Sequence, residues 1–426
     1  MPRSCDLHCF RWLTVAVLCC LLFVSASEAG ETPTSFPESV VWRKGEDAMS
    51  SHFVYGLTIS TKGTLLAFSE ARVEAGDDTP HHLVLKRSSD AGVTWSDDIV
   101  IERADGTFWS GQGVEGRLEC WANPAAITDR ETGRVFVFYV LNEGRLEGMR
   151  HAQRYTRVFL RSSDDEGLTW SDRVEVTDLL NAKADGSPNR DAQGRWVIDI
   201  NGHPCDYLGR AFHMPGPGHG LQLKNGRLFM QFWSRVSLGD REGNVIPMDQ
   251  RRYGIRLLYS DDHGRTWHTG ASFGENLPTI ESRMVELDNG NIYLNARTAN
   301  GRNAQRGVVI SSDGGATWQV RGFDAEMPRF VSVDCGLISV HRDGQQILLM
   351  SHPRNPVRRS ELTISASIDG GTTWKYHHPV HAEGANYSDL VALPDGRIGL
   401  LYGKGETARD GFDVRFFSFE LSQIGL

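Results

Sequence analysis

One octet, Ser-x-Asp-x-Gly-x-Thr-Trp, recurs five times in the chain, at Ser88–Trp95, Ser163–Trp170, Ser260–Trp267, Ser311–Trp318 and Ser367–Trp374. Recurrence at intervals on the order of 50 to 100 residues marks a repeat architecture with a blade-sized period and insertions in its first half. Each octet reads as a turn with a hydrophobic lid. Its Ser, Asp and Thr oxygens can bond nearby backbone N–H groups, its Gly can turn left-handed, and its Trp can cover the hairpin so closed. The octets are therefore structural, despite their acidic look. The surrounding segments run as strands do, as in Leu65–Phe68, His82–Leu85, Val135–Tyr139 and Ile347–Met350, and long helical periodicity is missing. A blade of four short strands cannot bury both faces alone, so several must stack around an axis. The expectation is an all-β six-bladed β-propeller that uses residues 30–426 as one domain, with surplus chain in loops such as Ala184–Gln193.

Charge and cysteine usage narrow the partners. The 45 Lys+Arg against 54 Asp+Glu, a formal net charge of -9, argue against a phosphate-tracking surface, so nucleic acid is a poor partner and a small molecule or glycan a better one. Residues 1–29 read as an export signal peptide. Arg3 and Arg11 precede the apolar run Leu13–Val24, and Ser27-Glu28-Ala29 offers small residues for cleavage. That run is too short for a membrane-spanning helix, which needs roughly 20 residues, and no later segment is long and apolar enough. The mature chain is expected to begin near Gly30 and to be exported, either periplasmic or secreted. Cys5, Cys9, Cys19 and Cys20 leave with the signal, and Cys120, Cys205 and Cys335 allow one disulfide at most. His203-Pro204-Cys205-Asp206 lacks a second ligand pair, so neither a metal nor a cofactor is expected. His377-His378 reads as a solvated strand end.

Between the octets lie further segments: Leu65–Arg72 followed by Asp77-Asp78 and Leu83–Ser88; Gly216–Leu223; Glu281–Gly290 leading to Arg297; Arg358–Thr363; and Asn386–Leu390. Together with the octets, in this order, they resemble the sialidase superfamily of six-bladed propellers, whose Asp-box repeat matches the octets. The resemblance implies roles for individual residues. Asp77, with Asp78 as its neighbour, is similar to the family's acid and base; Glu281 to the base of its nucleophile; Tyr387, before Ser-Asp-Leu, to the nucleophile itself. Arg297 and Arg359 match carboxylate-binding arginines, Arg72 matches another family arginine, and Gly216–Leu223 looks like a segment at the pocket's edge. Where the family opens its first strand with Tyr-Arg-Ile-Pro, this chain has His52-Phe53-Val54-Tyr55, so Phe53 falls in the place of the first clamping arginine. His52 or Tyr55 is then the candidate for a new polar contact.

These roles imply an exo-α-sialidase-like glycoside hydrolase that releases terminal sialic acid with retention. Alternatives are hydrolysis of another acidic sugar, such as a different ulosonic acid or a uronate, and a glycan-binding propeller without turnover. The chemistry has its own logic. A sugar whose carboxylate sits on the anomeric carbon repels a carboxylate nucleophile, whereas a neutral phenol avoids that repulsion. Asn386-Tyr387-Ser388 is an Asn-x-Ser sequon, but a glycan there would obstruct the pocket, so it is expected to be unmodified.

Overall fold

Strands dominate the computed structural model, which describes residues 36–143, 155–240, 242, 244–247, 250–273, 277–299, 301, 304–405 and 412–426. Residues 1–29, read from the sequence as an export signal and holding Cys5, Cys9, Cys19 and Cys20, lie outside these residues. A 9-stranded sheet holds two antiparallel meanders. The first runs Ser51–Ile59, Leu65–Arg72, His81–Ser88 and Ile99–Glu102, the second Cys120–Thr128, Val135–Asn142, Thr156–Ser163 and Val174–Glu175. One parallel pairing, His81 with Cys120, joins them. A 5-stranded sheet is built on Phe212–Pro215, Leu228–Arg235, Tyr253–Ser260 and His268–Phe273, and a 4-stranded one on Thr279–Glu286, Ile292–Thr298, Gly307–Ser311 and Gln319–Phe323. The 7-stranded sheet turns about the 17-residue strand Tyr376–Ala392. Its last partner is Ser39–Trp42, which pairs with Asp413–Phe419 and so brings the two ends of the described chain into one sheet. Helix is confined to single turns such as Thr107–Ser110 and Thr177–Leu180, and no helix among the described residues is long and apolar enough to cross a membrane.

All five octets close their hairpins in one way. In the fourth, Asp313 accepts from the Thr317 amide at 2.8 Å and the Thr317 hydroxyl at 2.5 Å, while the Ser311 hydroxyl accepts from the Gly315 amide at 2.9 Å. These bonds satisfy the polar groups of a sharp turn locally. The Thr266 hydroxyl and amide likewise hold the Asp262 carboxyl down to about 2. Trp267 then packs edge-on against Phe136 and Phe138, at 5.8 and 4.8 Å between centroids.

The octet glycines also carry contacts between strand groups. Gly92, Gly167, Gly264, Gly315 and Gly371 all have positive φ. A Cβ on each would fall within 3 Å of a side chain from another strand group: Phe416, Leu85, Phe136, Phe229 and Tyr293 respectively. The first octet thus leans on the last strands of the chain, and each later one on the group before it.

The region expected to be loop at Ala184–Gln193 is instead part of a ladder of short turns. Asp191, Asp199 and Asp206 each accept from the amide four residues on, at Arg195, His203 and Arg210. Successive turns are stitched by Val197 to Asn189 and Cys205 to Val197 backbone bonds. The turn chemistry was legible, but its stacking depends on contacts eight residues apart that strand periodicity does not reveal. Cys120, Cys205 and Cys335 are all buried free thiols, so burial holds the fold without a disulfide among them.

A pair of substitutions separates backbone strain from packing. Gly290 has φ 80° and open space around its Cβ position, whereas at Gly264, φ 75°, the Cβ would meet the Phe136 ring at 2.1 Å. Gly290→Ala should destabilise by about 1 to 2 kcal/mol, and Gly264→Ala by about 1 to 3 kcal/mol more. Urea denaturation of the two variants measures the difference; equal losses would refute a packing role for the octet glycine.

Candidate active site

Four strands from different groups end at the same cavity, and each carries an irregularity there. Register slips between Phe53 and Gly56, between Ala122 and Ala125, between Thr279 and Ser282, and between Ala385 and Ser388. A bulge inserts an extra residue and re-aims the side chains beside it. These four slips set Phe53, Asn123, Glu281 and Tyr387 around one space, with Asn123 at φ 52°. The cavity measures about 300 Å³ and is lined by all seven residues expected from the sequence: Phe53, Arg72, Asp77, Glu281, Arg297, Arg359 and Tyr387.

Tyr387 donates its Oη proton to Glu281 Oε1 at 2.5 Å. Arg297 Nη1 bridges the pair, 2.6 Å from Glu281 Oε2 and 3.0 Å from Tyr387 Oη, and its Nε donates to Ser332 Oγ at 2.8 Å. Glu281 and Arg297 lie on adjacent strands of one hairpin, Glu281 buried in the cavity wall and Arg297 half-buried. Burial raises the Tyr387 phenol well above its ordinary range, and the Glu281 charge adds to this. Burial opposes the charge on Arg297, yet Glu281 outweighs it and holds the guanidinium above its usual value.

Arg359 is arranged differently. Its Nη1 donates to the Asn386 side-chain oxygen at 2.7 Å, and its guanidinium lies 5.5 Å from the Tyr387 ring centroid. Among the described residues no carboxylate stands within ion-pair distance of it. Asn386 is 2% exposed and engaged in this bond, which leaves no room for a glycan at the sequon.

On the opposite side, Arg72 binds Glu70 Oε2 through Nε and Nη2 at 2.9 and 2.6 Å and reaches Asp77 Oδ1 with Nη1 at 3.0 Å. Its guanidinium also caps the Phe53 ring at 4.7 Å, and Phe53 leans on Tyr387 with centroids 5.0 Å apart. Asp77 is 70% exposed, on a loop pinned from below. His81 Nε2 meets the Gly76 carbonyl at 2.8 Å, Thr79 bonds the Glu74 carbonyl at 2.7 Å, and Asn142 reaches the Asp77 carbonyl at 3.3 Å. Of the neighbouring aspartates, Asp77 alone lines the cavity.

Three expectations are corrected. His52 is buried against Trp42, with ring centroids 5.3 Å apart, and does not line the cavity. Tyr55 donates instead to the Tyr387 carbonyl at 2.7 Å, beneath the site. Gly216–Leu223 does not edge this cavity; Gly218 is pressed against the Arg283 guanidinium, and His219 to Gln222 border a second cavity of about 460 Å³. Residues that were missed include Glu70, Asn123, Phe212, Met214 and Trp233. Glu70 was findable, two residues before Arg72 and so on the same strand face; nothing local marks the others.

Turns of the Asp-Gly-Thr-Trp type, repeated around a β scaffold, define the class of BNR-repeat proteins, and a model of the BNR repeat-like domain matches residues 114–400. The chain belongs to that family, within the sialidase superfamily. It is 27% identical over 398 residues to a sialidase of Micromonospora viridifaciens, covering 89% of this chain and 53% of that one. Against a sialidase of Bacteroides fragilis it is 27% identical over 376 residues, covering 84% and 61%. The chain thus spans little more than half the length of these relatives. Among solved structures, the Hadza microbial sialidase Hz136 is similar in fold, with a TM-score of 0.69 at 23% identity over 91% of this chain and 69% of that one.

The Asp77 loop makes acid sensitivity predictable. Burial, with Arg72 close by, pushes His81 from 6.5 down to about 3. A depressed folded value means that the unfolded chain binds the proton first, so this contribution to stability is complete above about 6.5 and is lost as pH falls toward 3. Unfolding free energy measured by urea titration at stepped pH should decline through that window. In His81→Gln the slope should be shallower by up to about 1.4 kcal/mol per pH unit; parallel slopes would contradict the assignment.

Proposed function

We propose that the chain is an exported exo-sialidase-like glycoside hydrolase that cleaves a terminal acidic sugar by a retaining mechanism. The observation that carries this reading is the Tyr387–Glu281 hydrogen bond of 2.5 Å, bridged by Arg297, in a cavity that also holds Arg359 and Asp77. Arg297 and Arg359 present planar donor forks to the substrate carboxylate, and each hydrogen bond to it contributes about 1.5 to 3 kcal/mol. As Tyr387 Oη attacks the anomeric carbon, Glu281 accepts the phenolic proton and Asp77 protonates the departing glycosidic oxygen. Water then attacks the same carbon as Asp77 takes its proton, and Tyr387 leaves with the proton held by Glu281.

The scaffold for this chemistry is read as a six-bladed propeller. The two meanders of the 9-stranded sheet, the 5-stranded and 4-stranded sheets, and the two halves of the 7-stranded sheet supply six groups of four main strands, with the 17-residue strand Tyr376–Ala392 counted in both halves. The stepwise octet contacts, including that of Gly92 with Phe416, support their closure into a ring. Residues 1–29 are read as the export signal, which places the mature protein in the periplasm or outside the cell.

Phe53 favours a second reading, in which the acidic sugar is not sialic acid. An aromatic ring capped by Arg72 stands where a third carboxylate donor is expected, so the anion is gripped from the Arg297 and Arg359 side alone. A panel of aryl glycosides of sialic acid, other ulosonic acids and uronic acids distinguishes the two. Tyr387→Phe should lower kcat on the best substrate by at least about 10³-fold with the fold retained, in keeping with loss of a nucleophile. Near-normal turnover in that variant would overturn the mechanism, and binding without any turnover in wild type would leave a glycan-binding protein. Phe53→Arg should lower KM for a sialoside about tenfold, the equivalent of one charged hydrogen bond; an unchanged KM would show that the aromatic wall does not limit carboxylate binding.

A further inference from the structure

Glu281 and Tyr387 stand on strands of different sheets, so no ladder of backbone hydrogen bonds sets their distance. Two residues further along each strand lie Arg283 and Asp389, both 0% exposed and 3.6 Å apart. Arg283 is also held by Asp334, with contacts of 3.2 and 2.6 Å from Nη1 and Nη2. Asp389 accepts the Leu57 amide at 2.9 Å and lies 3.0 Å from His219 Nδ1. The cluster therefore ties together the segments that bear Phe53, Glu281 and Tyr387, immediately beneath the cavity. Gly218 completes it, because a Cβ there would overlap Arg283 Nη2 at 2.0 Å. Three fully buried charges are a weak source of net stability, since well-packed apolar side chains of similar volume often serve as well. The hydrogen-bonded Arg283–Asp334 fork is directional, and the Arg283 charge facing Asp389 adds to it, so that together they favour one alignment of the two strands in a way apolar packing does not.

We propose that Arg283, clasped by Asp334 and Asp389, is a positioning residue that holds Glu281 and Tyr387 in hydrogen-bonding register across two sheets. The inference rests on the catalytic reading of that pair but is testable apart from it. A misplacement on the order of 1 Å costs about 10²-fold in rate when reacting groups must be aligned. Asp389→Asn keeps size and the acceptor for the Leu57 amide while removing the charge that Arg283 meets.

The experiment compares wild type, Asp389→Asn and Arg283→Lys, with kcat, KM and the folded fraction measured for each. Per folded molecule, kcat is expected to fall about 10- to 100-fold in Asp389→Asn while KM changes by less than about threefold. Arg283→Lys, which keeps the charge and loses the fork, should fall as well. A crystal structure of the substrate-free Asp389→Asn protein should show Tyr387 Oη and Glu281 Oε1 drawn beyond hydrogen-bond reach. A folded variant with that contact intact and kcat within about threefold of wild type would overturn the proposal, as would a loss of rate that only tracks the folded fraction. If Asp389→Asn fails to fold, Arg283→Lys carries the same measurements. If wild type turns over no acidic glycoside, the catalytic reading fails and the crystallographic comparison still decides the positioning.

Discussion

A glycine with positive φ, pressed flat against a side chain from another group of strands, is the contact on which this molecule is assembled. It occurs at Gly92, Gly167, Gly264, Gly315 and Gly371. Any side chain there meets two penalties at once, a disfavoured backbone and an occupied space. The Ser, Asp and Thr of each octet hold the turn so that its glycine faces the neighbour. The consequence is functional as well as structural. Phe53, Glu281 and Tyr387 belong to three different strand groups, so the site is only as well defined as the packing of one group against the next.

That dependence explains which parts were legible in the sequence. The octets announced themselves because the bonds by which their Ser, Asp and Thr close each turn are local, spanning four residues. Tyr387, Glu281, Arg297 and Arg359 were placed by family resemblance rather than by strand periodicity, and periodicity had no means of placing them. Glu281 and Tyr387 sit at register slips, where the alternation of inward and outward side chains is broken. The sequence favoured Asp77 over its neighbour Asp78 by resemblance, and of the two Asp77 alone lines the cavity, where it pairs with Arg72. The Arg283 cluster was invisible for another reason: its members lie far apart in sequence and each, taken alone, is an unremarkable polar residue in a strand or loop. The glycine-rich Gly216–Gly220 was misplaced likewise, its small size serving a guanidinium beneath the site rather than the rim.

The charges of the cavity are divided into two halves. On one side Arg72 is taken up by Glu70 and Asp77 and covers the Phe53 ring. On the other Arg297 is paired with Glu281, while Arg359 is held by the neutral Asn386 amide. On the proposed reading, an entering carboxylate would be drawn to the Arg359 side, where among the described residues it displaces no ion pair. Arg297 already spans Glu281 and Tyr387 Oη, so on that reading an anion that engages Arg297 would compete with Glu281 for the same guanidinium.

Phe53 matters in this light for more than a missing donor. Its ring contacts Tyr387 on one side and the Arg72 guanidinium on the other, so it insulates the phenol from a cation that would otherwise share the same wall. A guanidinium in its place would add a third donor but would also stand beside Arg72, and like charges at a few Å in a half-desolvated cavity oppose one another by several kcal/mol. The aromatic wall and the Arg72–Glu70–Asp77 cluster are in that sense one arrangement. The Phe53 ring is packed against both Tyr387 and Arg72, so the aromatic wall is built into the site rather than added to it. On the proposed reading, an acidic sugar would set its carboxylate toward Arg359 and lay an apolar part of its surface along Phe53, a division of contacts built into the first strand.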